Sequence, residues 1–572
     1  MTDIPLYYSV GGMAAASVPA DAHVIYVSGV AEAEDGKGGY FSDDISLGPP
    51  SFTSLDGRNW CHFRDVNTDR LCADVAVRLI EFDIRDSRFA GGAKWNDIDN
   101  DDTAFSSAIA YFKTLGGINK YQGANAARLR LPRGMGRIGV DSVNLTGASN
   151  VRIAGEGDGI SNVRLTGNFP AFKTTTVAGN NESRIGLEDF CIYGPGRQYE
   201  NAHGIDFGAL NHGLIRNIHV YRTRDILRLR NNWQTEIISL KGDGGPVTGG
   251  GLTSYRGICL LDGLDENGNS SSVIENAVKI YGGVISGCEK VGFRGESVSG
   301  SMVMGLEVLG CGEAGVLIGD NPGGKPTKWF TWTGGMIDTN ADCLVLKKGN
   351  SSELTEMHFD AMWIGYANAG GGAGEGIRIE DGTGIEFSPR MIANVDTALL
   401  AKNCIGIVFD AGVIRGYDRS LLGKAAITLE NVVQSSFSVG RGTRWQGSPA
   451  THFLVETGAS DYNVFNGINA DNTMIILDND SVVNACRPFK ARAYGTADIL
   501  AGQSSVVVPH GLGRKPRRGE IQVTPRHSLS SVGAADFRVE VLTSSATTFT
   551  IRTNAAVTSG IGFDWFGDVS RG

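Results

Sequence analysis

The chain has 572 residues, 41% hydrophobic and 20% charged, the balance of a folded protein long enough to hold several domains. A formal net charge of −10 argues against nucleic acid as a general partner. No apolar run approaches the roughly 20 residues needed to cross a bilayer, and MTDIPLYYSV has neither the basic nor the apolar region of a secretory signal, so neither membrane insertion nor export is expected.

Glycine is abundant, 80 residues, about twice the average usage of roughly 7%. It follows no G-X-Y period, which points to many tight turns. The nine cysteines contain no CxxC. Cys191, Cys259, Cys288, Cys311, Cys343 and Cys404 lie in apolar strand contexts, so core thiols are expected and no metal site or cofactor is assigned.

Residues 1–80 read as a small N-terminal adaptor or capping module of short strands. Its marks are VIYVSGV, the glycine turn Asp35 to Gly39 leading into Tyr40-Phe41, and Asp56-Gly57-Arg58-Asn59-Trp60. Asp97, Asp99 and Asp101 alternate as in a calcium loop, but the glycine and closing glutamate of that motif are missing. The better reading is a helix near 102–115, capped by Asp102, carrying Phe105, Ile109 and Phe112 and stopping before Gly116-Gly117. RLRLPRG, VNLTGASNVRIAGEG and SNVRLTG then supply the first strands of a long segment, 81–487.

Three stretches in this region resemble the opening of pectate-lyase-like β-helix proteins, in particular the phage tailspike and capsule-depolymerase group. They are Asn100-Asp101-Asp102-Thr103-Ala104-Phe105 with its helix, Leu131-Pro132-Arg133-Gly134, and Val151-Arg152-Ile153-Ala154-Gly155-Glu156-Gly157. The Asp35 to Gly39 turn is similar to one that precedes the helix in that group. The likeness covers about residues 20–165. It implies an elongated homotrimer held on the virion by phage tail or baseplate proteins and made in the bacterial host cytoplasm. It also implies binding or cleavage of bacterial surface polysaccharide (capsule, exopolysaccharide or O-antigen).

From about residue 205 onward two strand positions recur together. One series runs Ile205, Ile226, Ile258, Phe293, Val316, Leu344, Ile377, Leu399, Ile427, Leu454. The other is aromatic: Trp332, Phe359, Phe387, Phe409, Phe437 and Phe465, spaced 27, 28, 22, 28 and 28 residues apart, with Tyr281 and Val303 extending it upstream. Period-two alternation and a loose repeat of 20–35 residues indicate a right-handed parallel β-helix, each repeat one coil. The fold class is therefore all-β: a parallel β-helical solenoid between the N-terminal module and a C-terminal β-sandwich.

Two outer patches carry candidate chemistry. Upstream, Leu227 and Leu229 facing inward leave Arg228 and Arg230 outward near Asp206. Beside Tyr221 or His219 as base, they offer lyase chemistry on a uronate, or else plain arginine–carboxylate pairing. Downstream, Phe359 facing inward leaves Glu356, His358 and Asp360 outward. Register then sets Glu386 beside His358, Ser388 beside Asp360 and Asp410 one coil further. Paired carboxylates suit glycoside hydrolysis, one as acid and one activating water. Asp338 is a spare carboxylate, and Trp363, Tyr366, Tyr417 and Arg415 are candidate sugar contacts.

After Arg487-Pro488 the pattern changes to alternating strands with short turns, read as a β-sandwich over 488–572. Val506 to Leu512 and Phe549-Thr550-Ile551 resemble C-terminal modules at phage fibre tips, a resemblance that implies trimerisation or glycan binding. Hydrolytic depolymerisation is read ahead of a lyase. A non-catalytic receptor-binding fibre and a structural shaft are the alternatives.

Overall fold

The computed structural model describes residues 80–115, 127–175, 182–243, 254–261, 275–367, 374–470, 474–476, 481–484, 492–512, 516, 519–540 and 548–569, with the backbone of five short strands among residues 1–79. The Asp35–Gly38 and Asp56–Arg58 turns, the Gly116-Gly117 stop and the Arg487-Pro488 boundary lie outside these. Residues 1–79 and 80–572 form two compact units. In the first, Val24–Val27 pairs parallel with Leu6–Tyr7 and antiparallel with Gly39–Ser42.

Most of the second unit is a right-handed parallel β-helix with three walls. The first wall is a 13-stranded sheet including Asp225–Arg230, Asp342–Lys347 and Thr397–Lys402. The second and third walls are the two halves of a 25-stranded sheet. Leu354–Asp360 and Thr383–Ser388 belong to the second, and Met336–Asp338 and Trp363–Gly365 to the third. Longer strands such as Leu214–Tyr221 and Val408–Tyr417 run across both.

The aromatic ladder is continuous. Ile280, Val303, Trp332, Phe359, Phe387, Phe409, Phe437 and Phe465 are paired residue to residue on successive coils, and all are buried. Phe359 and Phe387 stack with centroids 5.0 Å apart and planes 8° from parallel. The upstream extension at Tyr281 is one residue out: Tyr281 pairs with Met304, and Ile280 holds the inward column. On the first wall the rung Ile205, Leu227, Ile258, Phe293, Val316, Leu344, Ile377, Leu399, Ile427, Leu454 is likewise continuous. Leu227 stands in it in place of Ile226. Both residues are buried, so hydrophobicity alone could not choose between them.

Glycine turns the corner between the second and third walls. Gly282, Gly305 and Gly334 have φ of 61°, 68° and 66°, and the same corner on the next coil is Ala361 at 54°. Each donates its N–H to a carbonyl of the coil above, as Gly334 does to Asp360 at 2.8 Å. A left-handed residue costs least when it has no Cβ, so a helix of many coils consumes many glycines.

Helix α1, Asp102–Leu115, covers the N-terminal end of the coils with Phe105, Ala108, Ile109 and Phe112 buried. The cap differs from expectation. Phe105 donates its N–H to the Asp101 carbonyl (3.1 Å), which puts Asp101 at the N-cap position. The Asp101 carboxylate accepts from the Lys94 and Arg137 amides at 2.7 and 3.1 Å. Asp102 instead clamps a neighbouring loop, accepting from the amides of Gly139, Val140 and Asp141. Adjacent aspartates at a helix start look alike in sequence, and the loop they meet decides their roles.

Among the described residues six cysteines are free and buried, and Cys288 and Cys311 meet thiol to thiol on successive coils. At the C-terminal end two three-stranded antiparallel sheets enclose Ile499, Phe549, Ile551, Phe563 and Trp565. They form the β-sandwich.

Candidate active site

The downstream candidates fall into three groups, because each coil turns between them. On the second wall, direct pairing places Thr331, His358, Glu386 and Val408 in one outward column, and Thr333, Asp360 and Ser388 in the next. Asp410 continues the second column, since Phe409 pairs with Phe387 and Asp410 itself pairs with Ser438. His358 Nδ1 lies 3.1 Å from Glu386 Oε2, both side chains about half exposed. The Ser438 hydroxyl donates to Asp410 Oδ1.

Glu356 does not share that face. Its φ is +54°, which interrupts the alternation that would have set it beside His358. It stands at the corner between the first and second walls, where its carboxylate accepts the Trp329 indole N–H. Trp329, the equivalent residue one coil earlier, also has a left-handed φ of 55°. With Lys348, Ser352, Asp381 and Thr383 these two line a groove of about 420 Å³. Trp329 is 54% exposed, and the Lys328 ammonium lies 4.5 Å from its ring centroid. Sequence reasoning missed Trp329 because it lies in the same strand, Thr327–Thr333, as the core-ladder residue Trp332. A left-handed corner, which no residue type announces, turns it outward.

The third wall carries Asp338, Trp363, Tyr366 and Arg415. Asp338, Gly365, Ala393 and Arg415 form one column. A Cβ placed on Gly365 would touch both the Trp363 ring (3.5 Å) and Asp338 Oδ1 (3.6 Å), so an indole and a carboxyl flank this glycine. Burial pushes the Asp338 carboxyl up, opposed by the Thr339 amide and the Arg419 charge. The Arg419 guanidinium lies 5.6 Å from the centroid of the exposed Tyr366 ring. Tyr417 is the clear departure: it is fully buried and packs edge-on against Phe453 at 5.5 Å, so it has no face for a sugar. The left-handed Gly416 just before it ends the outward run.

The upstream lyase constellation is split. Arg228 and Arg230 lie on the first wall and His219 and Tyr221 on the third. Both arginines are engaged by acids. Arg230 lies 3.1 Å from Asp206, and Arg228 is 3.7 and 3.8 Å from Asp225 and Asp206. Asp225 is fully buried and takes a two-pronged bond from Arg256 at 2.8 and 2.9 Å. The turn at 222–224 carries the chain from one wall to another and so separates these arginines from His219 and Tyr221.

No protein family's sequence profile matches the chain, and no curated protein matches it. Among solved structures, the A-module of the mannuronan C-5 epimerase AlgE6 from Azotobacter vinelandii is similar at 15% identity and TM-score 0.39, over 71% of this chain and 98% of that one. Tailspike protein 3 of bacteriophage CBA120 is similar at 12% identity and TM-score 0.46, over 76% and 64%. DFA-IIIase from Arthrobacter chlorophenolicus A6 is similar at 13% identity and TM-score 0.43, over 68% and 93%. Likenesses this distant set the chain beside these proteins without assigning it to any of them.

Proposed function

We propose that the protein binds a bacterial surface polysaccharide on the outside of its coils and cleaves it by glycoside hydrolysis on the second wall. The observation that carries this reading is the register. Phe359, Phe387 and Phe409 pair directly, so Asp360 and Asp410 project outward two coils apart. At the strand-pairing distance their backbones are about 9.6 Å apart. Side-chain reach brings the carboxyls within the roughly 6.5–9.5 Å of an inverting pair, which leaves room for a water.

In this arrangement Asp360 protonates the leaving glycosidic oxygen. Asp410, oriented by the Ser438 hydroxyl, takes a proton from water attacking the opposite face of the sugar. Ser388 stands between them in that column, and Glu386, held by His358, lies on the same coil as Ser388 in the neighbouring column. A wall whose polar columns repeat at every coil suits a polymer whose units repeat. Trp329 and Tyr366 offer exposed ring faces for stacking. The opening motif's resemblance to tailspikes supports a place on a phage tail. The sandwich near the C-terminus is assigned to trimerisation or glycan binding, and residues 1–80 to attachment.

The test is incubation with capsule or lipopolysaccharide from candidate hosts, followed by sizing and end-group analysis of the products. Asp360→Asn and Asp410→Asn should each abolish shortening while circular dichroism stays unchanged. Full activity in both would retire the pair. Loss in Asp338→Asn with retention in Asp360→Asn would move the acid to the third wall. Products with a new carbon–carbon double bond would replace hydrolysis by elimination, and intact polymer with wild type would leave a binding protein.

A further inference from the structure

Far from the carboxylate pair, one cluster on the third wall draws its members from four separate places in the chain. Cys191, His219 and Lys241 form a single outward column on successive coils, and the turn after Val151–Ala154 delivers Asp158 against them. Asp158 Oδ1 lies 2.8 Å from Cys191 Sγ and 3.4 Å from His219 Nδ1. Among the described residues this is the group of thiol, imidazole and carboxylate whose ligand atoms converge within 4.8 Å of one another.

We infer that Asp158, Cys191 and His219 form a binding site for a divalent cation of the zinc class, with a fourth position open to solvent or to an anionic group of the glycan. Donor chemistry decides the metal. One thiolate, one imidazole and one carboxylate suit a borderline-soft ion, whereas calcium and magnesium take oxygen. Geometry agrees. Zinc bonds of about 2.0–2.3 Å place tetrahedral ligand atoms roughly 3.3–3.8 Å apart, so the observed spacings need only small side-chain movements.

The surroundings are built as such sites usually are. The Gly159 amide donates to Cys191 Sγ at 3.0 Å, a bond that stabilises a thiolate, while the Tyr221 hydroxyl, 2.7 Å from the same His219 Nδ1, turns aside when a metal takes that nitrogen. Tyr193 and Tyr221 stack beside the cluster, centroids 4.7 Å apart and planes within 4°. The Lys241 ammonium lies 2.8 Å from Asp158 Oδ2 and its side chain is half exposed, so it is the counter-cation that a metal displaces. On binding, the Cys191 S–H proton leaves to solvent as the metal–sulfur bond forms. Charge then closes: thiolate and carboxylate balance a divalent ion, and the freed ammonium remains to meet an anion.

The location ties the site to a long ligand. The column continues from Lys241 through Val284, Glu307 and Met336 to Trp363. His219 is five coil steps from Trp363, about 24 Å at 4.8 Å per step, on the same wall. A chain lying along that wall would reach both.

The experiment is a cobalt titration of the full-length protein after chelator treatment. We expect one equivalent of Co2+ to bring up a near-ultraviolet thiolate-to-metal charge-transfer band, which Zn2+ then abolishes. Cys191→Ser should lose the band, and His219→Ala should weaken binding by at least about tenfold. Lys241→Ala, at a half-exposed side chain, should bind cobalt severalfold more tightly, because the ammonium no longer holds Asp158 Oδ2. Absence of the band in wild type, its persistence in Cys191→Ser, or unchanged affinity in Lys241→Ala would each overturn the assignment. Cleavage assays are not needed for any of these readouts, so failure here leaves the carboxylate pair untouched.

Discussion

Glu275 should make the β-helix less stable as the pH rises, and Glu275→Gln should remove that loss. The carboxyl is fully buried, and the Asn232 amide donates to its two oxygens at 3.2 Å each. Burial pushes Glu275 up to about 8 from the ordinary 4.5, because those bonds only partly replace lost water. The sign follows from proton counting. Between about 4.5 and 8 the folded protein holds a proton here that the unfolded chain has lost, so stability is full below 4.5 and falls as pH rises toward 8. At about 1.4 kcal/mol per pH unit, the loss across that window is at most on the order of 5 kcal/mol. For a cooperative unit of roughly 490 residues, with an unfolding entropy of about 2 cal/mol/K per residue, this amounts to about 5 °C in Tm. The assay is the melting temperature of wild type and Glu275→Gln from pH 4.5 to 8.5. The wild type should lose about five degrees more than the variant across that range, with the two converging at the acid end. Parallel curves would refute a buried neutral carboxyl at this position.

Phe387→Ala removes a ring stacked on Phe359 in the interior ladder and should cost about 3–5 kcal/mol, read as a fall in Tm or in urea midpoint. Asp225→Asn leaves the Arg256 guanidinium without its buried partner and should cost about 3–5 kcal/mol by the same measurement. Acid should act in the same direction, since the ion pairs around Asp225 hold its carboxyl well below the usual range and protonation at low pH removes them. Trp329→Ala, at an exposed groove residue, should leave Tm within about a degree while weakening glycan binding by about 1 kcal/mol, roughly fivefold, in a pull-down titration.

The interior was legible because coils stack in parallel with one residue above another. A ring that must lie inside one coil recurs at the same place in the next, so Trp332 to Phe465 could be read from spacing alone. The neighbours of that ladder followed by alternation: His358 beside Glu386, Asp360 beside Ser388. Alternation failed where the backbone turned left-handed. Glu356 left the acid patch for a groove with Trp329, and Tyr417 after Gly416 went inward. One-residue choices at the edges, Ile280 over Tyr281 and Leu227 over Ile226, needed the pairing itself.

By itself the sequence determined that this chain winds into a β-helix and which side chains fill it, because burial imposes a period that survives loops of any length. Tertiary structure alone decided what gathers on the outside. Asp158, Cys191, His219 and Lys241 come together across turns whose lengths carry no repeat, and solvent-facing positions leave no periodic trace of what they meet.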